Sequence, residues 1–143
     1  VLGLLREEGT DRPAPVRTLA DVDRIVADAR AAGLTVDVAV DGPISTVPAA
    51  VSREGYRIVQ EGLTNVVRHA GRVAATLRIA LSEGTLRIDL SNPVGVARRS
   101  DRSGRGLEGM RERVDLLGGS MTAGRDGDLW RVAVALPTGG ERA

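Results

Sequence analysis

The chain has no cysteine, no lysine and no phenylalanine, with one tryptophan (Trp130), one tyrosine (Tyr56) and one histidine (His69). Without cysteine there is neither a disulfide framework nor a thiolate metal site. A reducing compartment is expected, and with it a cytoplasmic location. So few aromatics leave the core to Val, Leu, Ile and Ala. Cations that are nearly all arginine suggest a GC-rich genome and say nothing of function. An excess of one charge is also lacking: 20 basic and 19 acidic residues leave a net +1. That argues against a dedicated nucleic-acid-binding domain. No apolar run approaches the ~20 residues that span a bilayer, so no membrane contact is expected of this chain. The opening VLGLLREEG has no basic leader and does not read as a signal peptide. A start at Val1 instead of Met reads as a fragment. The length of 143 residues suits one domain that buries its core unaided.

Residues Val1–Gly9 read as the end of a helix, and Thr10–Pro15, with two prolines, as a linker. From Thr18 to Ala32 the apolar positions Leu19, Val22, Ile25, Val26 and Ala29 recur at helical spacing, and Gly33 follows as a C-cap. Thr35–Val40 alternates, placing Val36, Val38 and Val40 on one strand face. A long helix runs from about Pro48 to Ala70. Two alternating stretches, Val73–Leu81 and Thr85–Asn92, meet at Ser82-Glu83-Gly84, a hairpin signal. Pro93–Arg105 reads as an irregular basic loop, followed by a helix over Leu107–Leu117 that stops at Gly118-Gly119. Strands near Ser120–Ala123 and Leu129–Leu136 are linked by Gly124–Asp128, and the tail 138–143 is polar. Hairpin-joined strands rule out a doubly wound parallel sheet. The expectation is an α+β fold: a two-layer sandwich, with helices on one face of a mixed sheet.

On the long helix Glu54, Arg57, Glu61, Asn65 and Arg68 fall within an arc of roughly 80°. Val59, Leu63, Val66, Val67 and Ala70 occupy the opposite side and should face the core. Such a stripe can be merely a solvated face. Glu61 and Asn65, however, stand at i and i+4, so a carboxylate and an amide oxygen can reach one point. Oxygen ligands of that kind suit Mg²⁺, which takes one or two protein ligands plus phosphates and waters. Glu61 could equally activate or orient an attacking group. A lone His69 at the helix end reads first as a helix-end residue.

Gly104-Arg105-Gly106-Leu107-Glu108-Gly109 matches G-x-G-x-x-G, a weak signal alone. No strand directly precedes it, which excludes a dinucleotide fold. Glycines before a helix still let backbone N–H groups approach an anion, and Arg98, Arg99, Arg102 and Arg105 add positive charge. In Thr85–Asn92, Leu86, Ile88 and Leu90 share a face, and period two puts Asn92 there as well. It reads either as a ligand contact or as the Asn opening a turn before Pro93.

Tyr56 to Ala70, YRIVQEGLTNVVRHA, and Gly104 to Gly119, GRGLEGMRERVDLLGG, resemble the N box and the G2 box of the histidine kinase catalytic domain, of the GHKL superfamily with its Bergerat ATP-binding fold. The resemblance is closest to sensor kinases that partner LuxR-type response regulators, and it covers about residues 16–137. It implies ATP and Mg²⁺ as cofactors and transfer of the γ-phosphate to a histidine on a separate helical domain. It makes Asn65 the Mg²⁺ ligand, with Glu61 assisting it or acting on the reaction. The nucleotide would be held by Asn65, Arg68, His69, Ser91, Asn92, Gly104, Arg105, Gly106, Leu107, Gly109 and Met110, with Pro93–Arg105 as the ATP lid. Residues 1–15 would be the end of the dimerisation and phosphoacceptor helices plus a linker.

The family's adenine box, Asp-x-Gly-x-Gly, stands here as Asn92-Pro93-Val94-Gly95-Val96. The Asn oxygen can still accept from the adenine amino group, without the charge that strengthens such a bond. Two other readings follow from the same residues. One is an ATP-binding fold that has lost turnover and acts as an interaction module. The other is an anti-sigma-factor serine kinase of the same superfamily, against which the Val1–Gly9 helix end stands.

Overall fold

The computed structural model describes residues 16–70, 73–94 and 104–139, with side chains from Leu107 onward in the last segment. The helix end Val1–Gly9, the linker Thr10–Pro15, most of the basic loop and the last residues of the tail lie outside the described residues.

The first helix starts with a 3-10 turn, Leu19–Asp21. Thr18 caps it reciprocally: its Oγ1 accepts from Ala20 N–H (3.2 Å) and its own N–H donates to Asp21 Oδ2 (3.0 Å). Helix α1, Val22–Ala31, then buries Val22, Ile25, Val26 and Ala29, the i, i+3, i+4, i+7 face that the periodicity dictates. It ends in a Schellman motif. Gly33 N–H donates to Arg30 O and Leu34 N–H to Ala29 O, and Gly33 supplies the φ of 105° that the motif requires.

Strand β1 is Thr35–Asp41, helix α2 Ala49–His69, strand β2 Ala74–Ser82 and strand β3 Thr85–Pro93. Helix α3 is Gly104–Leu116, strand β4 Ser120–Asp126 and strand β5 Leu129–Pro137. The sheet order is β1-β2-β3-β5-β4. β1 and β2 are parallel, joined across α2, and every other pair is antiparallel. The result is the mixed sheet and α+β sandwich expected.

Registers such as Leu77↔Leu90↔Val132 and Ile79↔Ile88↔Val134 line up one apolar face. With Val59, Leu63, Val66, Met110 and Val114 from the helices it forms the core. The Val36-Val38-Val40 face fades along β1: Val36 is buried and Val38 half-buried, but Val40 is 46% exposed. The helical layer covers only the start of this edge strand.

Two loops differ from expectation. β4 continues through Asp126, so Gly124–Asp126 belong to the ladder and only Gly127-Asp128 turn. Gly124 pairs with Arg131 and Asp126 with Leu129, and those ladder bonds override the turn chemistry of Gly124. The basic loop is shorter at both ends. Pro93 closes β3, and α3 begins at Gly104, not Leu107. Glycine costs little in a first turn, whose N–H groups have no helical partners in any case.

On the uncovered face of the sheet Arg131 is bound by Asp89 (Nε to Oδ1 3.1 Å) and lies 3.6 Å from Asp126. The Asp89 hydrogen bond and charge raise the Arg131 pKa above its ordinary value. No described helix is long and apolar enough to cross a membrane.

Candidate functional site

Helix α2 lies unusually close to β3. A Cβ built on Gly62 would stand 2.7 Å from Leu90 Cδ2. That approach seats the turn holding Glu61 and Asn65 over the last part of β3. Two residues beyond Leu90 on the same face, Asn92 is 6% exposed, one of only two buried polar residues among those described. Its Nδ2 donates to Pro93 O at 3.0 Å, and it pairs across the sheet with the half-buried Trp130. Val94 N–H donates to Asp128 O (2.9 Å), which ties the start of the loop to the β4–β5 turn.

α2 is buried more widely than one stripe opposite another. Val51, Ser52, Gly55, Tyr56, Ile58 and Gly62 are buried as well, because α1 packs along one flank and α3 along the other. Leu19 closes the α1 flank, with its N–H donating to Ser52 Oγ at 3.0 Å. On the α3 flank Arg113 reaches Glu61 Oε2 (3.3 Å) and Glu54 Oε1 (3.5 Å). The polar stripe is therefore partly an interhelical contact: of its five members Arg57 and Arg68 are exposed and the other three half-buried.

No protein-family model matches the chain. The signal transduction histidine-protein kinase/phosphatase UhpB of Salmonella typhimurium is 40% identical over 83 residues, 57% of this chain and 16% of UhpB. The sensor histidine kinase YxjM of Bacillus subtilis is 40% identical over 75 residues, 52% of this chain and 18% of YxjM. The chain thus spans less than a fifth of the length of these curated relatives. Among solved structures, the histidine kinase domain of the blue-light activated kinase of Erythrobacter litoralis EL346 has a TM-score of 0.68 at 23% identity. That likeness covers 91% of this chain and 66% of that one. The chain is similar in sequence to these sensor histidine kinases and has the fold of the histidine kinase catalytic domain. The resemblance read from Tyr56–Ala70 and Gly104–Gly119 agrees with these similarities, and the expected fold is the one observed.

The residues singled out in the sequence are distributed as follows. Glu61 and Asn65 are half-buried, one turn apart, in the second half of α2. Arg68 and His69 are exposed on its last turn, where cations complement the helix dipole. Asn92 lies under the helical layer. Ser91 alternates to the uncovered face, opposite Arg131, so its side chain points away from the helices. Leu107 and Gly109 are half-buried, while Met110 is fully enclosed in the core and serves packing. Gly104, Arg105 and Gly106 form the start of α3, with their side chains outside the described residues, as are Arg98, Arg99 and Arg102.

The described residues contain no cluster of three or more His, Asp or Glu suited to a metal. The half-buried Asn65 amide, one turn from the Arg113-bound Glu61, offers an oxygen of the kind that Mg²⁺ takes alongside phosphates and waters. The sequence reading missed Arg113. Its signal lay in two glutamates seven residues apart on one stripe, with an arginine beside the Met110–Val114 face of α3. Only the tertiary fold brings the two helices together.

Proposed function

We propose that the chain is the ATP-binding catalytic domain of a two-component sensor histidine kinase, residues 16–137. It holds Mg-ATP and donates the γ-phosphate to a histidine on a separate dimerisation and phosphoacceptor helical domain, for relay to a LuxR-type response regulator. One observation carries the reading. The tight Gly62–Leu90 contact sets the Glu61–Asn65 turn of α2 over the strand end where Asn92 is buried, which supports giving these residues one shared site.

In this reading Asn92 accepts from the adenine amino group through Oδ1. Asn65 offers its amide oxygen to Mg²⁺, which when bound neutralises charge on the phosphate oxygens. The N-terminus of α3 and its glycines approach the phosphates, and Arg68 adds charge at the end of α2. Glu61 orients or deprotonates the attacking imidazole. His69 sits on the helix that flanks the nucleotide and not beyond the γ-phosphate, so it is not the acceptor. A cytoplasmic location is part of the same proposal.

The test is titration with a non-hydrolysable ATP analogue, with and without Mg²⁺. Saturable binding that Mg²⁺ tightens is expected. Absence of binding under both conditions would leave only the interaction-module reading.

A further inference from the structure

Outside the residues that the resemblance names, Arg113 has the strongest tie to the site. Its guanidinium is clamped between two carboxylates of α2: Nη2 donates to Glu61 Oε2 at 3.3 Å, and Nε lies 3.5 Å from Glu54 Oε1. The three side chains are only 24%, 27% and 35% exposed for Arg113, Glu54 and Glu61. The two oxygens of Glu61 are unequal. Oε2 is engaged by Arg113, whereas Oε1 is buried and has no hydrogen-bond partner among the described residues; Glu54 Oε1 and Arg113 Nε, which face each other as an ion pair, also lack a hydrogen bond. A buried acceptor without a donor is costly and calls for an explanation. Here the explanation is a carboxylate fixed through one oxygen, with the other kept for an incoming donor.

We propose that Arg113 is a positioning residue. It fixes Glu61 to act on the attacking group and withholds it from the metal, leaving Asn65 as the metal-side ligand. A cation next to a carboxylate that already holds a guanidinium meets like-charge repulsion. Mg²⁺ also requires near-octahedral geometry at roughly 2.0–2.1 Å, which a clamped side chain does not readily supply. Arginine is the suited residue, because its planar fork serves two carboxylates at once and a lysine ammonium does not. The proposal rests on the kinase reading above and deepens it.

The experiment compares Arg113→Met, Arg113→Lys, Glu61→Gln, Glu54→Gln and the double variant Arg113→Met/Glu61→Gln. Phosphotransfer kcat and KM for ATP are measured with a phosphoacceptor hairpin supplied, and ATP-analogue binding is titrated with and without Mg²⁺. Arg113→Met should lower kcat by about tenfold or more with KM near wild type, the pattern of a misplaced catalytic group. Arg113→Lys should restore part of the loss. The double variant should be no slower than Glu61→Gln alone, because Arg113 acts through Glu61. Every variant should keep the Mg²⁺ dependence of binding.

If Arg113→Met fails to fold, Glu54→Gln removes one arm of the clamp and should still lower kcat with KM unchanged. Additive losses in the double variant, a raised KM in place of a lowered kcat, or loss of Mg²⁺ dependence in Glu61→Gln overturn the proposal and leave the kinase reading standing. A wild-type chain that neither binds the analogue nor transfers phosphate overturns both.

Discussion

Gly119→Ala perturbs the junction that holds α3 against the sheet. A Cβ at this position would stand 2.3 Å from the Ala135 carbonyl oxygen and 2.9 Å from Leu136 Cδ2. The first neighbour is backbone of β5, and the second belongs to a fully buried side chain, so neither can swing aside. The Gly119 N–H also donates to Val114 O at 2.9 Å, completing the cap of α3 together with Gly118 N–H to Asp115 O. Relieving the clash pulls that cap apart or lifts the edge strand β4 from β5. Overpacking of this kind costs about 1–3 kcal/mol. For a domain of this size about 2 kcal/mol lowers Tm by roughly 5–9 °C. The control is Gly124→Ala in the adjoining strand β4, where an added Cβ meets nothing within 4 Å; its stability should change by less than about 0.5 kcal/mol. Thermal melts followed by circular dichroism at 222 nm measure both. Equal melting temperatures for Gly119→Ala and wild type would refute the close approach on which the argument depends.

Asn92→Asp should tighten ATP-analogue binding by on the order of 1 kcal/mol, about fivefold, through the gain of a charged over a neutral acceptor. Weaker or unaltered binding in the same titration would mean that Asn92 does not face the base, or that Val94 blocks it. Glu83 turns the β2–β3 hairpin with φ 52° ahead of Gly84 at φ 75°. Glu83→Asn should therefore raise stability by about 0.5–1 kcal/mol in urea denaturation, because Asn tolerates the left-handed region that the turn requires. Asn65→Ala should abolish the Mg²⁺-dependent part of nucleotide binding while the melting curve stays cooperative; unchanged Mg²⁺ dependence would remove Asn65 from the metal.

Elements held by periodicity were legible in the sequence. The Val22–Ala29 face of α1, the Val59–Leu63–Val66 face of α2 and the alternation that buries Asn92 all follow from single-segment patterns. What a segment does not encode alone was missed. α3 starts at Gly104 although glycine is a poor helix former, because Leu107 and Met110 pack it against the core. Gly124–Asp126 extends β4 because β5 supplies the ladder. Ser91 and Asn92 are neighbours in sequence but serve opposite faces of the sheet. The Glu54–Arg113–Glu61 clamp joins residues 52 positions apart between Arg113 and Glu61, and the polar stripe gave half of it without its partner.

Phosphate transfer itself tests the central claim most directly. The chain is incubated with γ-labelled ATP and Mg²⁺, alone and with a dimeric phosphoacceptor hairpin from a sensor kinase of the same subgroup. The account predicts no labelling of the chain alone, and acid-labile labelling of the hairpin that depends on the chain and is lost in Asn65→Ala. Stoichiometric labelling of the chain alone, abolished by His69→Gln, would contradict it and make His69 the acceptor.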